Sequence, residues 1–324
     1  MFLIYDFVSY KISLNNPANP NSKTKIMFII KSGDSLKIIS ENLEEKGLVS
    51  SSRYFYKYVK ATDNDTRVLA GGFLLSPSMT IPEITEDITD NSKNQYVVTV
   101  PEGFSVKDID EKLVEMGLIK SGDFVSSVRN FANYDKYDFL NKPRLAGLKI
   151  PLEGYLFPDT YYIKPQNFKS EELIERMLAN FSAKLLPNLR KEISRKGRTI
   201  HEIVTMASML EKEGKTKDDF EIMAGILWKR LSYNWFLDVD AAILYETNKK
   251  TISSADLQLN SAYNLRRHHG LPPSPISNPG INAISAAISP KTSPYWFYLT
   301  THSGQTIYAK TNDEQNLNIA KYLK

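Results

Sequence analysis

An internal repeat constrains the fold of this chain more than any other feature. At a fixed offset of 70 residues, SGDSLKIISENLEEKGLVSS (32–51) aligns with EGFSVKDIDEKLVEMGLIKS (102–121). Gly33, Ser35, Lys37, Ile39, Glu41, Leu43, Glu45, Gly47, Leu48 and Ser51 recur identically, which is too many matches for chance. The second halves echo more loosely: LAGGFLLSP (69–77) resembles LAGLKIPLEGYLFP (145–158), with an insertion in the latter. Each copy has the same local logic. A β-rich run, TKIMFIIKSG or NQYVVTVPEG, precedes the glycine. Ser35 or Ser105 then stands where a helix N-cap belongs. Leu36, Ile39 and Leu43, or Val106, Ile109 and Leu113, follow at helical spacing, and Gly47 or Gly117 stops the helix. This pattern predicts two small α+β modules, or one fused module with internal symmetry.

The second half of the chain changes character. SEELIERMLANFSAKLLPNLRKEI (170–193), TIHEIVTMASMLEKEG (199–214) and DFEIMAGILWKRLSYN (219–234) each read as a helix. SSADLQLNSAYNL (253–265) and GINAISAAISP (280–290) contain shorter ones. PYWFYLTTHSG and QTIYAKTND form a hairpin signal split at Ser303-Gly304. The expected class is therefore α+β: two repeated modules, then a mainly helical domain with a small sheet. The expected boundaries are 1–25 (N-terminal segment and linker), 26–95, 96–164 and 165–324.

Composition closes off several function classes. A net charge of +4 from 41 basic and 37 acidic residues does not point to nucleic acid, and no nucleic-acid partner is expected. With no cysteine and four histidines, neither a metal nor another cofactor is expected. The apolar start, MFLIYDFVSY, is interrupted by Asp6 and falls far short of the ~20 residues of a membrane span. It reads as an irregular first strand, or alternatively as the end of a membrane anchor. The Asn-, Pro- and Ser-rich stretch 11–25 after it reads as a linker.

Three stretches could carry chemistry. In MASMLEKEG (206–214), Glu211 and Glu213 lie at a helix C-terminus, where partial negative charge disfavours carboxylates. Ile203, Val204, Ala207 and Leu210 form an apolar stripe with Glu211 on its edge. The small Ala207 and Ser208 would leave room for a bulky ligand, and Glu213 is expected to be solvated beside Lys212 and Lys215. Burial and the helix end would both raise the Glu211 pKa, as a general acid near neutral pH requires. LEGYLFPDTYYI (152–163) interleaves Tyr155, Phe157, Tyr161 and Tyr162 with Glu153 and Asp159. Aromatic faces and carboxylates suit a sugar groove, although buried aromatics in a strand–turn give the same pattern. AYNLRRHHGLPPSPISNPG (262–280) is a stiff loop able to position Tyr263 and Asn264, with Arg266, Arg267, His268 and His269 as an anion contact or a solvated turn.

Together LEGYLFPDTYY, ASMLEKEG, LDVDAAILY, AYNLRRHHGLPPSPISNPG and SPYWFYLTTHSGQTIYAKTNDEQNLN resemble, in order and spacing, the endolytic murein transglycosylase (MltG, YceG-like) family. The resemblance covers roughly residues 26–324. It implies a LysM-like N-terminal region and internal cleavage of peptidoglycan glycan strands at the MurNAc–GlcNAc bond, leaving 1,6-anhydro-MurNAc ends. It implies Glu211 as the catalytic acid, and a cleft lined by the motifs holding Glu153, Tyr155, Asp240, Tyr263 and Asn264. It further implies a membrane anchor at the N-terminus, an extracytoplasmic catalytic part, and cell-wall synthases as partners. Two motifs depart from the family pattern. Val239-Asp240-Ala241-Ala242 replaces a Thr-Asp-Pro-Thr-like stretch, and Leu265-Arg266 replaces Thr-Tyr after Tyr263-Asn264. A peptidoglycan-binding scaffold, or a hydrolytic muramidase using Asp240 as second carboxylate, are the alternatives.

Overall fold

The computed structural model describes residues 2–323, with side chains from residue 6 onward. The chain divides into two compact units, Met1–Val98 with Thr160–Phe168, and Thr99–Asp159 with Lys169–Lys324. Helices and short two-stranded sheets are mixed throughout, as the α+β expectation requires.

In the first unit, helix α1 (Phe2–Asn15) leads to β1 (Ile26–Ile30), α2 (Leu36–Glu45), α3 (Ser52–Ala61), β2 (Gly71–Leu75) and α4 (Ile81–Thr89). Strands β3 (Tyr96–Thr99) and β4 (Thr160–Ile163) neighbour one another in a second sheet. β1 and β2 run antiparallel, with Phe28 opposite Phe73. The Ser35 hydroxyl caps α2 by accepting from the Ile38 amide, and Gly47 follows the helix at φ +65°, the left-handed turn expected of it. Phe28, Ile39, Leu43, Phe55, Phe73 and Ile84 close the core.

The N-terminal segment departs from the irregular strand and from the linker start at residue 11. It is helical to Asn15 and docked on α3. Leu14 joins the core, Tyr10 packs edge-on against Tyr54, and Asp6 pairs with Arg53 at 3.2 Å. The contacts that hold this helix come from residues far on in the chain, Arg53 and Tyr54 among them, which a short apolar run interrupted by Asp6 does not reveal.

In the second unit, α5 (Val106–Glu115) opens with a capping box between Ser105 and Asp108. Its buried Asp110 accepts from the Gly122, Phe124 and Val125 amides, so one carboxylate satisfies the start of α6 (Asp123–Arg129). The short α7 (Lys142–Leu145) follows. The single helix expected over 170–193 is two, α8 (Ser170–Lys184) and α9 (Pro187–Arg195). Pro187 forces Leu186 out of the helical region, to ψ 154°. Next come α10 (Ile200–Glu213), α11 (Lys217–Ser232), α12 (Asp240–Thr247), α13 (Ile281–Ile288), the hairpin β5 (Phe297–Thr300) and β6 (Thr306–Ala309), and α14 (Asn312–Tyr322). Only a single 3-10 turn, Asp256–Gln258, forms in the stretch 253–265.

Helix α10 is the axis of this unit. Thr199 and Glu202 cap each other's backbone at its start. Every residue from Ile203 to Leu210 is buried, so the helix has no polar face over that length and surfaces only in its first and last turns. Glu211 is therefore partly exposed because the helix end emerges from the core, rather than because it edges an apolar stripe.

Candidate active site

Glu211 sits half-buried at the C-terminal turn of α10. Its Oε2 accepts a hydrogen bond from the Gly280 amide at 2.9 Å. Gly280 is the N-cap of α13. The carboxyl thus lies between the end of one helix, whose dipole disfavours its charge, and the start of another, whose dipole favours it. Burial raises its pKa, the Gly280 amide pulls it down, and the nearby Glu102 carboxylate pushes it up again. The first of these dominates, so the proton is held above the ordinary glutamate range. A Cβ added at Gly103, which is at φ +81°, would stand 3.5 Å from Glu211 Cγ. The first glycine of the second repeat therefore lies directly against this side chain.

The Gly280 donor is fixed by the proline-rich loop before it, which is tied down at five points. His201 Nε2 donates to the Pro273 carbonyl while its Nδ1 accepts from Tyr155 Oη, both at 3.1 Å. Burial lowers the His201 pKa, in keeping with this neutral tautomer. Tyr263 Oη bonds Ser274 Oγ at 2.7 Å. Ser208 Oγ accepts from the Ile276 amide, and its carbonyl accepts from Ser277 Oγ. Asn278 bridges three segments: its Oδ1 accepts from the Leu156 amide, its Nδ2 donates to the Phe104 carbonyl, and its backbone carbonyl accepts from the Gly103 amide. Gly280 completes the set. The space beside Ala207 and Ser208 is thus filled by the chain's own loop, since both residues are fully buried, and it is not open to a ligand.

The candidate lining residues separate by burial. Glu153 has no exposed surface. Its carboxyl accepts from the Val106 amide at 3.1 Å and the Tyr245 hydroxyl at 3.1 Å, and burial pushes its pKa up to about 8. Tyr155 and Asn264 are 1 % exposed. Tyr155 packs between Phe139, Phe181 and His201. Asn264 donates to the carbonyls of Leu257 and Leu259, holding its loop closed. In this arrangement burial keeps these three from direct contact with a ligand, and each instead holds neighbouring structure: Glu153 the start of α5, Tyr155 the His201 side chain, and Asn264 its own loop. Tyr263 and Asp240 retain exposed surface.

Gly154 is one point where this bracing is tightest. It adopts φ +88°, and a Cβ there would come within 2.4 Å of Pro275 Cβ and 2.8 Å of Val204 Cγ1. Gly154→Ala combines a left-handed backbone with an overpacked core, and should cost about 2–3 kcal/mol in urea unfolding.

A second group of charges surrounds Glu213. Arg266 grips Asp240 through Nε and Nη2, at 2.7 and 3.0 Å. Burial, then the Asp240 carboxylate, push the Glu213 pKa up to about 7, against the pull of Arg266. The expectation of a solvated Glu213 beside its lysines is thus overturned: its electrostatic partners come from α12 and the 262–280 loop. Arg266→Gln should raise the Glu213 pKa further, because it removes the lowering cation while Asp240 remains; carboxyl-detected NMR titration would read this. The other members of the basic run disperse. Arg267 donates to the Gln258 carbonyl, His268 faces Asn260, and His269 stacks on Phe236 at 4.0 Å. Among the described residues no group of three or more His, Asp or Glu could hold a metal ion.

With this architecture and site, the chain belongs to the YceG-like family, whose model matches residues 28–321. A Bacillus subtilis protein named endolytic murein transglycosylase is 28 % identical over 97 % of this chain and 89 % of its own length. A Streptococcus pneumoniae (strain D39) protein of the same name is 30 % identical over 95 % of this chain, which spans 60 % of that relative's length. The crystal structure of a yceG-like protein from Listeria monocytogenes superposes with a TM-score of 0.61 at 29 % identity, covering 91 % of this chain and 99 % of that one.

Proposed function

We propose that the chain is an endolytic lytic transglycosylase of peptidoglycan, cutting the MurNAc–GlcNAc β-1,4 bond within nascent glycan strands to leave 1,6-anhydro-MurNAc ends. The observation that carries this reading is Glu211: a partly exposed carboxyl with a raised pKa, backed by one fixed amide donor. The protonated Glu211 donates its proton to the leaving glycosidic oxygen. The resulting carboxylate, held by the Gly280 amide, takes the proton of the C6 hydroxyl as that oxygen attacks C1. The intramolecular attack replaces both water and the second carboxylate of a hydrolytic glycosidase. The names of the relatives support the reaction class.

The muramidase alternative needs Asp240 free as a base or nucleophile, and the two-pronged Arg266 contact argues against that. We infer further that the repeats are LysM-like, supported by the strand–helix–helix–strand order of β1, α2, α3 and β2. On this reading the modules occupy 26–95 and 96–164 and the catalytic domain 165–324, working outside the cytoplasm at the cell membrane alongside cell-wall synthases. Mass spectrometry of glycan strands digested by the purified chain tests the reaction. Anhydro ends support it; reducing ends favour the muramidase, and intact but bound strands favour the scaffold. Among the described residues no helix is long and apolar enough to cross a membrane.

A further inference from the structure

We propose that the first unit carries a binding site for a phosphate-bearing ligand, in a cleft remote in sequence from Glu211 and independent of the transglycosylase reading. The cleft has a volume of about 540 Å³. Four lysines reach it from separate segments: Lys23 and Lys25 ahead of β1, Lys93 between α4 and β3, and Lys164 after β4. Its one acidic lining residue is Asp87, which pairs with Lys93 at 3.6 Å. Lys23, Lys25 and Lys164 form no ion pair with a described residue, as is also true of Lys31 and Lys46 elsewhere in the unit; what sets the three apart is that they converge on one cleft. Convergence of like charges on a concave surface is unfavourable in the empty protein and favourable once an oxyanion sits among them.

The hydrogen-bonding inventory points the same way. Ser76 and Ser78 share one hydrogen bond at 2.8 Å, so the hydroxyl that accepts it keeps its own hydrogen to donate elsewhere. Ammonium groups bind as point charges and suit the tetrahedral spread of phosphate oxygens, while the planar carboxylate is matched best by an arginine fork, and no arginine lines this cleft. Leu74, 41 % exposed, and Met79 add an apolar wall. The volume exceeds that of a bare phosphate, leaving room for the group that carries it.

Titration calorimetry on the full chain at low ionic strength tests the assignment, with pyrophosphate, citrate, and vesicles of phosphatidylglycerol or phosphatidylcholine as probes. Pyrophosphate should bind at a single site in preference to citrate. The pair Lys25→Glu and Lys164→Glu should weaken it by at least about tenfold, and Lys46→Glu, outside the cleft, should leave it unchanged. All three lysines are exposed, so circular dichroism should report intact folding in each variant. Tight binding of phosphatidylglycerol vesicles, sensitive to the same pair and competed by pyrophosphate, would identify a lipid headgroup as the phosphate source; pyrophosphate binding without vesicle binding would identify a soluble phosphate ester. Equal affinity for citrate, equal loss in Lys46→Glu, or no binding of either phosphate probe overturns the proposal.

Discussion

Glu211→Gln should abolish formation of anhydro ends, lowering the rate by at least about 10²–10⁴-fold, the usual worth of one general acid–base group. The amide keeps the size of the side chain, and its oxygen can still accept from the Gly280 amide, so the fold should survive. What is lost is the transferable proton. The pH dependence gives a second, finer readout. The acid must be protonated at the start of the cycle, so activity falls as pH rises through its pKa, and burial sets that limb above the ordinary glutamate range. Glu102 contributes to the elevation. Glu102→Gln should therefore move the alkaline limb to lower pH while leaving products unchanged. A limb unmoved by Glu102→Gln would mean that Glu102 does not act on the titrating group, and full activity in Glu211→Gln would remove Glu211 from the reaction.

The sequence made the local elements legible wherever a cap, a period and a stop coincide. Ser35, Ser105 and Thr199 start helices by the rules that single them out, and Gly47 and Gly117 end two of them. The hairpin at Ser303-Gly304 follows in the same way, with Gly304 at φ +83°. The failures have physical causes. Helix α12 buries only Ala242 and Ile243, too little to generate a period. Helix α10 is buried all round, so its apparent stripe carried no information about which side faces a cleft. The braces around Glu211 come from far along the chain. Asn278 reaches Leu156 across 122 positions, and nothing in the local pattern marks Ser208, Asn278 or Gly280 as partners. Proline density in 262–280 did signal a stiff loop. What that stiffness positions is the Gly280 amide, as well as Tyr263 and Asn264.

Replacing Glu153 should have the largest effect on stability. Removing the side chain in Glu153→Ala strips the acceptor from the Val106 amide and the Tyr245 hydroxyl in a fully buried site, and should cost about 3–5 kcal/mol. Glu153→Gln separates packing from charge. The native carboxyl holds its proton up to about pH 8, whereas the unfolded chain releases it near the ordinary value of 4.5. Between those limits the folded state binds the extra proton, so stability falls as pH rises, and the loss totals on the order of 3–5 kcal/mol. The contribution is complete below pH 4.5 and gone above 8. Glutamine cannot titrate, and its side-chain oxygen can still accept from the Val106 amide or the Tyr245 hydroxyl. The difference between wild type and Glu153→Gln in denaturant unfolding should therefore shift toward the variant as pH rises from 5 to 8. Subtracting the two curves also cancels the parallel titration of Glu213, which has a pKa of about 7 and falls in the same window. A difference independent of pH would mean that Glu153 is ionised in the folded protein throughout.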